Sequence, residues 1–264
     1  MKERGYTHQV LVRLKQTDHG ILRNGIWAYT NERLCKDDLI TVQIVENECS
    51  DNIAPVNLPL DIAYEDDDII VINKPFDMPA HPSAGNHDNT LANALMYYYG
   101  SQNKPFVYRC INRLDRDTTG LTIVAKHALA GGILGNAVAK RAIHRTYYAV
   151  CSGCTPACMR ISAPIARKDA STIERCVDFK RGENAVTDFI RIKYNPDNNL
   201  SLVKLRLLTG RTHQIRVHMK YIGFPLIGDF LYNPDYTYIS RQALHSGRLV
   251  FTHPVTGQKI EPHI

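Results

Sequence analysis

The apolar positions of the chain switch between two periods, and the switches mark its elements. Ile69 to Asn73 is a near-continuous apolar run, the pattern of a strand buried on both faces, and Lys74-Pro75 closes it. Leu91, Leu95 and Tyr98 recur at helical spacing behind Asn89 or Thr90 as N-cap, with Gly100 as the stop. Leu121 to Ala125 repeats the buried-strand pattern, and His127 to Lys140 reads as a helix weakened by Gly131, Gly132 and Gly135. Further strands are predicted at Thr146–Val150, Ile161–Ile165, Val186–Tyr194 and Leu200–Leu208. In the last of these Lys204 and Arg206 alternate with Val203, Leu205 and Leu207, which predicts one apolar face and one basic face, the latter a candidate substrate wall. Ile215, His218, Met219 and Ile222 share one face of a helix ended by Gly223 and Pro225, and Arg216 lies off that face, free to meet a carboxylate. Many strands separated by helices of moderate length predict an α+β domain, a mainly antiparallel mixed sheet flanked by helices.

Residues 1–52 have their own character. Asn24-Gly25 between Ile21-Leu22 and Ile26 signals a hairpin, and Lys36-Asp37-Asp38 forms a charged turn before the alternating strand LITVQIV. No helix is evident ahead of the hairpin. Residues 50–60, with Pro55 and Pro59, read as a linker to a second domain over 60–264, whose acidic run Glu65–Asp68 reads as a solvated turn.

Composition narrows the class of protein. The 264 residues are 44% hydrophobic and 22% charged, ordinary for a globular chain. No apolar run reaches membrane-span length and the N-terminus has no secretory signal pattern, so a cytoplasmic protein without membrane contact is expected. The net charge of +6 is concentrated in two places. Lys140, Arg141, His144 and Arg145 precede Tyr147 and Tyr148, and Lys204, Arg206, Arg211, Arg216 and Lys220 have no acid between them. Cations interleaved with aromatics suit RNA, whose phosphates need charge and whose unstacked bases need ring faces. Of the seven cysteines, Cys151, Cys154 and Cys158 form C-x2-C-x3-C, but no second close pair completes a zinc set, so free thiols and no metal are expected.

The stretch Cys110–Lys126 carries the chemistry. Arg113, Asp115, Arg116 and Asp117 set two carboxylates among two guanidinium groups, and Thr118-Thr119-Gly120 reads as a tight turn before the strand. A carboxylate held by fixed cations at the mouth of a rigid strand stays ionised for nucleophilic or electrostatic work. Two other readings stand beside this one. Both aspartates could belong to a solvated turn, or they could pair on a metal in a hydrolase, although no histidine or further carboxylate cluster joins them.

Three blocks in order, DIIVINKPF from Asp68, RLDRDTTGL from Arg113 and LTGRTHQIRVHM from Leu208, resemble the RluA-type pseudouridine synthases over roughly residues 60–260. PLIGDF from Pro225, RTYYAVC from Arg145, GENAVTD from Gly182, and Ala243-Leu244-His245 with His253-Pro254 fit the same pattern. The resemblance implies the pseudouridine synthase fold and isomerisation of specific uridines in structured ribosomal or transfer RNA, without metal or cofactor, by a monomer. It places Asp115 at the essential aspartate, Arg216 as its cationic partner and Tyr147 against the flipped base, where it is expected to help remove the C5 proton, so that all three are catalytic. It places Arg113 in the gap left in the RNA stack, and Arg116, Arg145, Arg211, His213 and Lys74 join it as expected RNA contacts. Whether the aspartate adds to base or sugar, or forms a glycal, is left open. Asn112 stands where the family often has histidine, expected to bear on RNA fit, and Asp77 stands where it often has glycine. Residues 1–52 resemble a shortened S4 RNA-binding element, with Asp37-Asp38 in place of Gly-Asp. The alternative is a catalytically silent RNA-binding protein that keeps the fold.

Overall fold

The computed structural model describes residues 5–29, 31–169 and 173–264, so residues 1–4 of the predicted N-terminal element lie outside it. That element opens with a helix the pattern did not reveal, α1 (His8–Gln16), capped by the Thr7 hydroxyl, which accepts from the Val10 amide. Only Val10 and Leu14 of it are buried, and the run Val10-Leu11-Val12 obscures a two-residue stripe. β1 (Ile21–Arg23), β2 (Ile26–Trp27) and β3 (Ile40–Val42) follow as an antiparallel sheet in the order β2-β1-β3. Asn24 and Gly25 both take positive φ, as the predicted hairpin requires. Val10, Leu14, Ile21 and Ala28 share their core with Leu129 of the larger body. The predicted linker is packed as well, since Ile53, Leu58 and Leu60 join a core cluster and Asn93 donates to the Ala54 carbonyl at 2.7 Å.

The larger body contains β4 (Ile62–Glu65), β5 (Ile69–Lys74), α2 (Leu91–Gly100), β6 (Arg109–Cys110), β7 (Thr119–Ala125) and α3 (Ala128–Ala139). β8 (His144–Ser152), β9 (Cys158–Ser162), β10 (Ile165–Arg167) and β11 (Arg175–Val177) come next. β12 (Val186–Asn195), β13 (Leu200–Leu207), α4 (Gln214–Tyr221), β14 (Leu244–Thr252) and β15 (Lys259–Ile260) complete it. The main sheet runs β4-β5-β7-β14-β8-β13-β12-β9, with β6 on β7 and β15 on β14, and β10-β11 forms a separate hairpin. Among the described residues β7–β14 is the one parallel pairing between named strands; the rest are antiparallel. The α+β prediction therefore holds.

β5 and β7 read as continuous apolar runs because both of their faces are covered. Ile69, Val71, Leu121 and Ile123 pack with Ala130 and Leu134 of α3, whereas Ile70, Ile72 and Val124 pack with Leu91 and Leu95 of α2. α2 begins at a capping box in which Thr90 and Asn93 satisfy one another's backbone. The tight turn expected at residues 118–120 lies two residues earlier. The Thr118 amide donates to the Asp115 carbonyl, and Thr119 and Gly120 already belong to β7. Gly120 has φ +110°, and a Cβ there would sit 2.3 Å from the Ser246 carbonyl oxygen, so only glycine lets β14 lie alongside.

The acidic run is a knot of side chains rather than a solvated turn. Glu65 accepts from Tyr98, Tyr99 and Lys126, Asp66 from Tyr64, and the Asp66 and Asp68 carboxylates meet His253 and His127 at 2.9 and 2.8 Å. Cys151 is buried on β8, and burial pushes its thiol up to about 12, while Cys154 and Cys158 are exposed.

Candidate active site

The site assembles where the loop ahead of β7, the strand β8 and the N-terminus of α4 meet. Arg216 is its hub. α4 begins at His213, which takes φ +56°, and the next turn carries Arg216 inward rather than to solvent. Its Nη1 donates to Asp115 Oδ2 at 3.1 Å, while Nε and Nη2 donate to the two oxygens of Asp229, each at 2.7 Å. The guanidinium carbon stands 5.0 Å from the Tyr232 ring centroid and 5.4 Å from that of Phe230. Arg216 is 1% exposed. Burial works against its charge, but the Asp229 and Asp115 carboxylates outweigh it and hold its pKa above the ordinary value. Such a bidentate arginine–carboxylate pair is both strong and directional, so the third donor is aimed, not merely present.

Asp115 is held from one side only. Arg216 and, at 3.9 Å, His213 Nε2 address its Oδ2, and no donor among the described residues reaches Oδ1. With a side chain 30% exposed, Asp115 opens onto a cavity of about 80 Å³ lined also by Arg113, Arg145, Tyr147, Arg211 and Leu244. A space of that size admits a few water molecules and no stretch of helix. Tyr147 forms the floor. Burial raises its pKa, Arg145 opposes this and Asp115 adds to it, so the phenol keeps its proton at neutral pH. His213 shares a 2.9 Å hydrogen bond with the Tyr232 hydroxyl. Burial lowers its pKa against the pull of Asp115, which leaves the imidazole neutral at pH 7.

The structure gathers Asp115, Tyr147, Arg216, Arg113, Arg145, Arg211 and His213 around this one cavity. It does not gather the remaining predicted groups. Lys74 is fully buried, its Nζ donating to the carbonyls of Pro75 and Arg116 at 2.7 and 2.8 Å, so the expected RNA contact is corrected to an internal tie on the aspartate loop. Burial brings its pKa down to about 8. Arg116 is exposed but pairs with Asp117 at 3.1 Å and lies 3.7 Å from Asp77. Asp117 is thus a structural partner of Arg116, and among the described residues no cluster of potential metal ligands joins it to Asp115. Asn112 is buried too, accepting from the Ile123 amide and donating to the Leu121 carbonyl, so it braces β7 and does not face RNA. Asp77 takes φ +54°, a conformation that glycine adopts without strain.

The basic face of β13 also needs correction. Leu205 pairs with Tyr147 and Lys204 with Tyr148, so Lys204 and Arg206 point to the side of the sheet opposite the cavity. The sequence reading missed Asp229 and Gln214. Gln214 accepts from the Arg211 amide and the Thr209 hydroxyl and donates to the Val186 carbonyl, which fixes the loop between β13 and α4. Asp229 sat inside the quoted PLIGDF block, but nothing local shows an aspartate facing an arginine of the preceding helix.

A carboxylate held by a buried arginine at a small cavity, with a buried tyrosine in its lining and further arginines around it, is the arrangement of an enzyme active site. The chain belongs to the RNA pseudouridylate synthase family, whose sequence profile matches residues 68–221. It is 38% identical over 263 residues to the uncharacterized RNA pseudouridine synthase YjbO of Bacillus subtilis, covering 99% of this chain and 92% of that protein. It is 42% identical over 224 residues to ribosomal large subunit pseudouridine synthase D of Haemophilus ducreyi, covering 79% and 68%. Among solved structures, human RNA pseudouridylate synthase domain containing 1 superposes with a TM-score of 0.65 at 27% identity, covering 78% of this chain and 83% of that one. The RluA-type resemblance and the pseudouridine synthase fold are thereby shown, and the chain is an RNA-modifying isomerase. No helix among the described residues is long and apolar enough to cross a membrane.

Proposed function

We propose that Asp115 is the reacting carboxylate and that the substrate is a uridine in large-subunit ribosomal RNA. The observation that carries the first claim is the clamp of Asp229 on Arg216, which presents one Asp115 oxygen to a cation and leaves the other facing the cavity. In the isomerisation the N1–C1′ bond breaks, the base turns in place and C5 bonds to C1′. The C5 proton departs and N1 gains one, so atoms balance without a co-reactant. Addition to the sugar, addition to the base and a glycal route all require an ionised carboxylate beside the sugar–base junction. A cavity this small requires the uridine to leave its stack, and exposed Arg113 at the rim is placed to fill the vacancy. Tyr147, protonated and buried, supports the base as a platform rather than as a resident phenolate. The name of the Haemophilus relative supports the choice of ribosomal over transfer RNA. Residues 1–52 serve as a shortened S4-like element, a reading supported by the Asn-Gly hairpin and the strand that follows it.

The test is release of tritium from RNA labelled at uridine C5, with chelator present. Asp115→Asn keeps shape and loses charge, and its rate should fall by about a thousandfold or more while RNA affinity changes little. Full activity in that variant, or a strict need for a divalent ion, would overturn the assignment. Comparing pseudouridine maps of ribosomal and transfer RNA from cells with and without the gene decides the substrate.

A further inference from the structure

The N-terminal element carries no net positive charge with which to anchor RNA. Residues 5–50 contain five lysines and arginines against six aspartates and glutamates, so none of the chain's +6 resides there. Two of the five are already spent within the element or beside it. Arg13 pairs with Glu48 at 2.8 Å, and Arg23 pairs with Asp38 at 2.8 Å and Glu32 at 3.8 Å. Arg109 of the larger body is neutralised by Glu46 from the same segment, at 2.8 Å. A face of this kind releases few counterions on meeting a polyanion.

What the element does expose is a row of rings. His19 lies 5.0 Å from Trp27, and Trp27 lies 5.7 Å from Tyr29, with interplanar angles of 31° and 23°. Trp27 is 40% and Tyr29 65% exposed, and Ile26 beside them is 75% exposed. The row is held in place by backbone. Trp27 is paired to Leu22 in the hairpin, the Ala28 amide donates to the Ile21 carbonyl, and the Tyr29 amide donates to Glu32 Oε1 at 2.7 Å. A folded domain rarely leaves a tryptophan and a tyrosine stacked in solvent without a partner for them.

We propose that His19, Trp27 and Tyr29 form a stacking platform for unpaired bases of the substrate RNA, outside the catalytic cavity. The inference rests on RNA being the substrate. It assigns to this element the part of recognition that salt does not screen, because base–aromatic stacking needs ring faces and no net charge. Charge selects the occupant: a near-neutral surface with a row of exposed, closely spaced rings suits base faces, whereas phosphates suit the cationic rim of the cavity.

Trp27 is the sole tryptophan of the chain, so its fluorescence reports on this platform alone. The full-length protein is titrated with a single-stranded oligoadenylate and with the labelled substrate RNA at two salt concentrations. Saturating RNA should quench Trp27 emission. Tyr29→Ala should weaken substrate binding roughly 5- to 100-fold, the range for loss of one stacked base, and Trp27→Phe should weaken it less. Both variants should keep the wild-type slope of log Kd against log salt, and wild-type single-turnover tritium release at saturating enzyme. RNA that binds and reacts with Trp27 emission unchanged would overturn the proposal. So would emission that changes with protein concentration alone, since the rings would then face a second copy of the chain. A wild-type protein that binds RNA and quenches but releases no tritium would instead count against the catalytic assignment.

Discussion

Arg216 is shared by two carboxylates, and its two bonds to Asp229 are shorter than its bond to Asp115. Asp229, fully buried, therefore acts as a positioning residue. Asp229→Asn should cost about 3 kcal/mol in urea unfolding, because a buried guanidinium loses its principal counter-charge. It should also lower kcat more than KM, since Arg216 is then free to close on Asp115 and quench it; an unchanged kcat in a folded variant would count against this role. Lys74 provides a second test through pH. Its folded-state pKa of about 8 lies below the ordinary 10.5, so between those values the unfolded chain holds more of the proton. Stability attributable to Lys74 must then rise with pH from about 8 to 10.5, by on the order of 3 kcal/mol. The stability difference between wild type and Lys74→Met, followed across that window, should show this rise, and a flat difference would place Lys74 in water. Residue types were legible in the sequence where a motif carried them: Asp115, Tyr147 and Arg216 converge as expected. Exposure was not. Lys74 and Asn112 look like surface groups in a string, and only the three-dimensional closing of β7 over them shows that they face inward.

At the scale of elements, the strands and helices that read most clearly were those with both faces covered or with strong caps, such as β5, β7 and α2. α1 was hidden because two buried residues make no stripe, and the β13 face was misassigned because alternation gives two faces without saying which one meets the cavity. The contact of β7 with β14 was invisible for a different reason: the partners are more than a hundred residues apart and joined by a parallel pairing. Gly120 is where that contact is narrowest. Gly120→Ala should destabilise the protein by roughly 3 kcal/mol or more, through a clash with the Ser246 carbonyl and an unfavourable φ. Activity should fall with it, since Asp115 sits five residues upstream. A variant with wild-type melting temperature would mean that β14 can shift away at little cost.

At the scale of the whole molecule, the sheet is two smaller sheets joined by its last long strand. β4, β5 and β7 lie on one side of β14, and β8, β13, β12 and β9 on the other. Ending the chain after Ala243 should therefore remove more than an edge. We expect that truncated form to lose the cooperative unfolding transition and all tritium release, whereas a chain ending after Thr252 should retain a folded sheet. A truncation at Ala243 that still unfolds cooperatively would show that the halves join without β14. The same arrangement imposes an order of events during synthesis. Asp115, Tyr147 and Arg216 have all been made while β14 is still inside the ribosome's exit tunnel, yet the strand that lies between β7 and β8 and joins them has not emerged. The site therefore closes only once the chain has cleared the tunnel as far as Thr252, and activity begins with the strand that joins the two halves of the sheet.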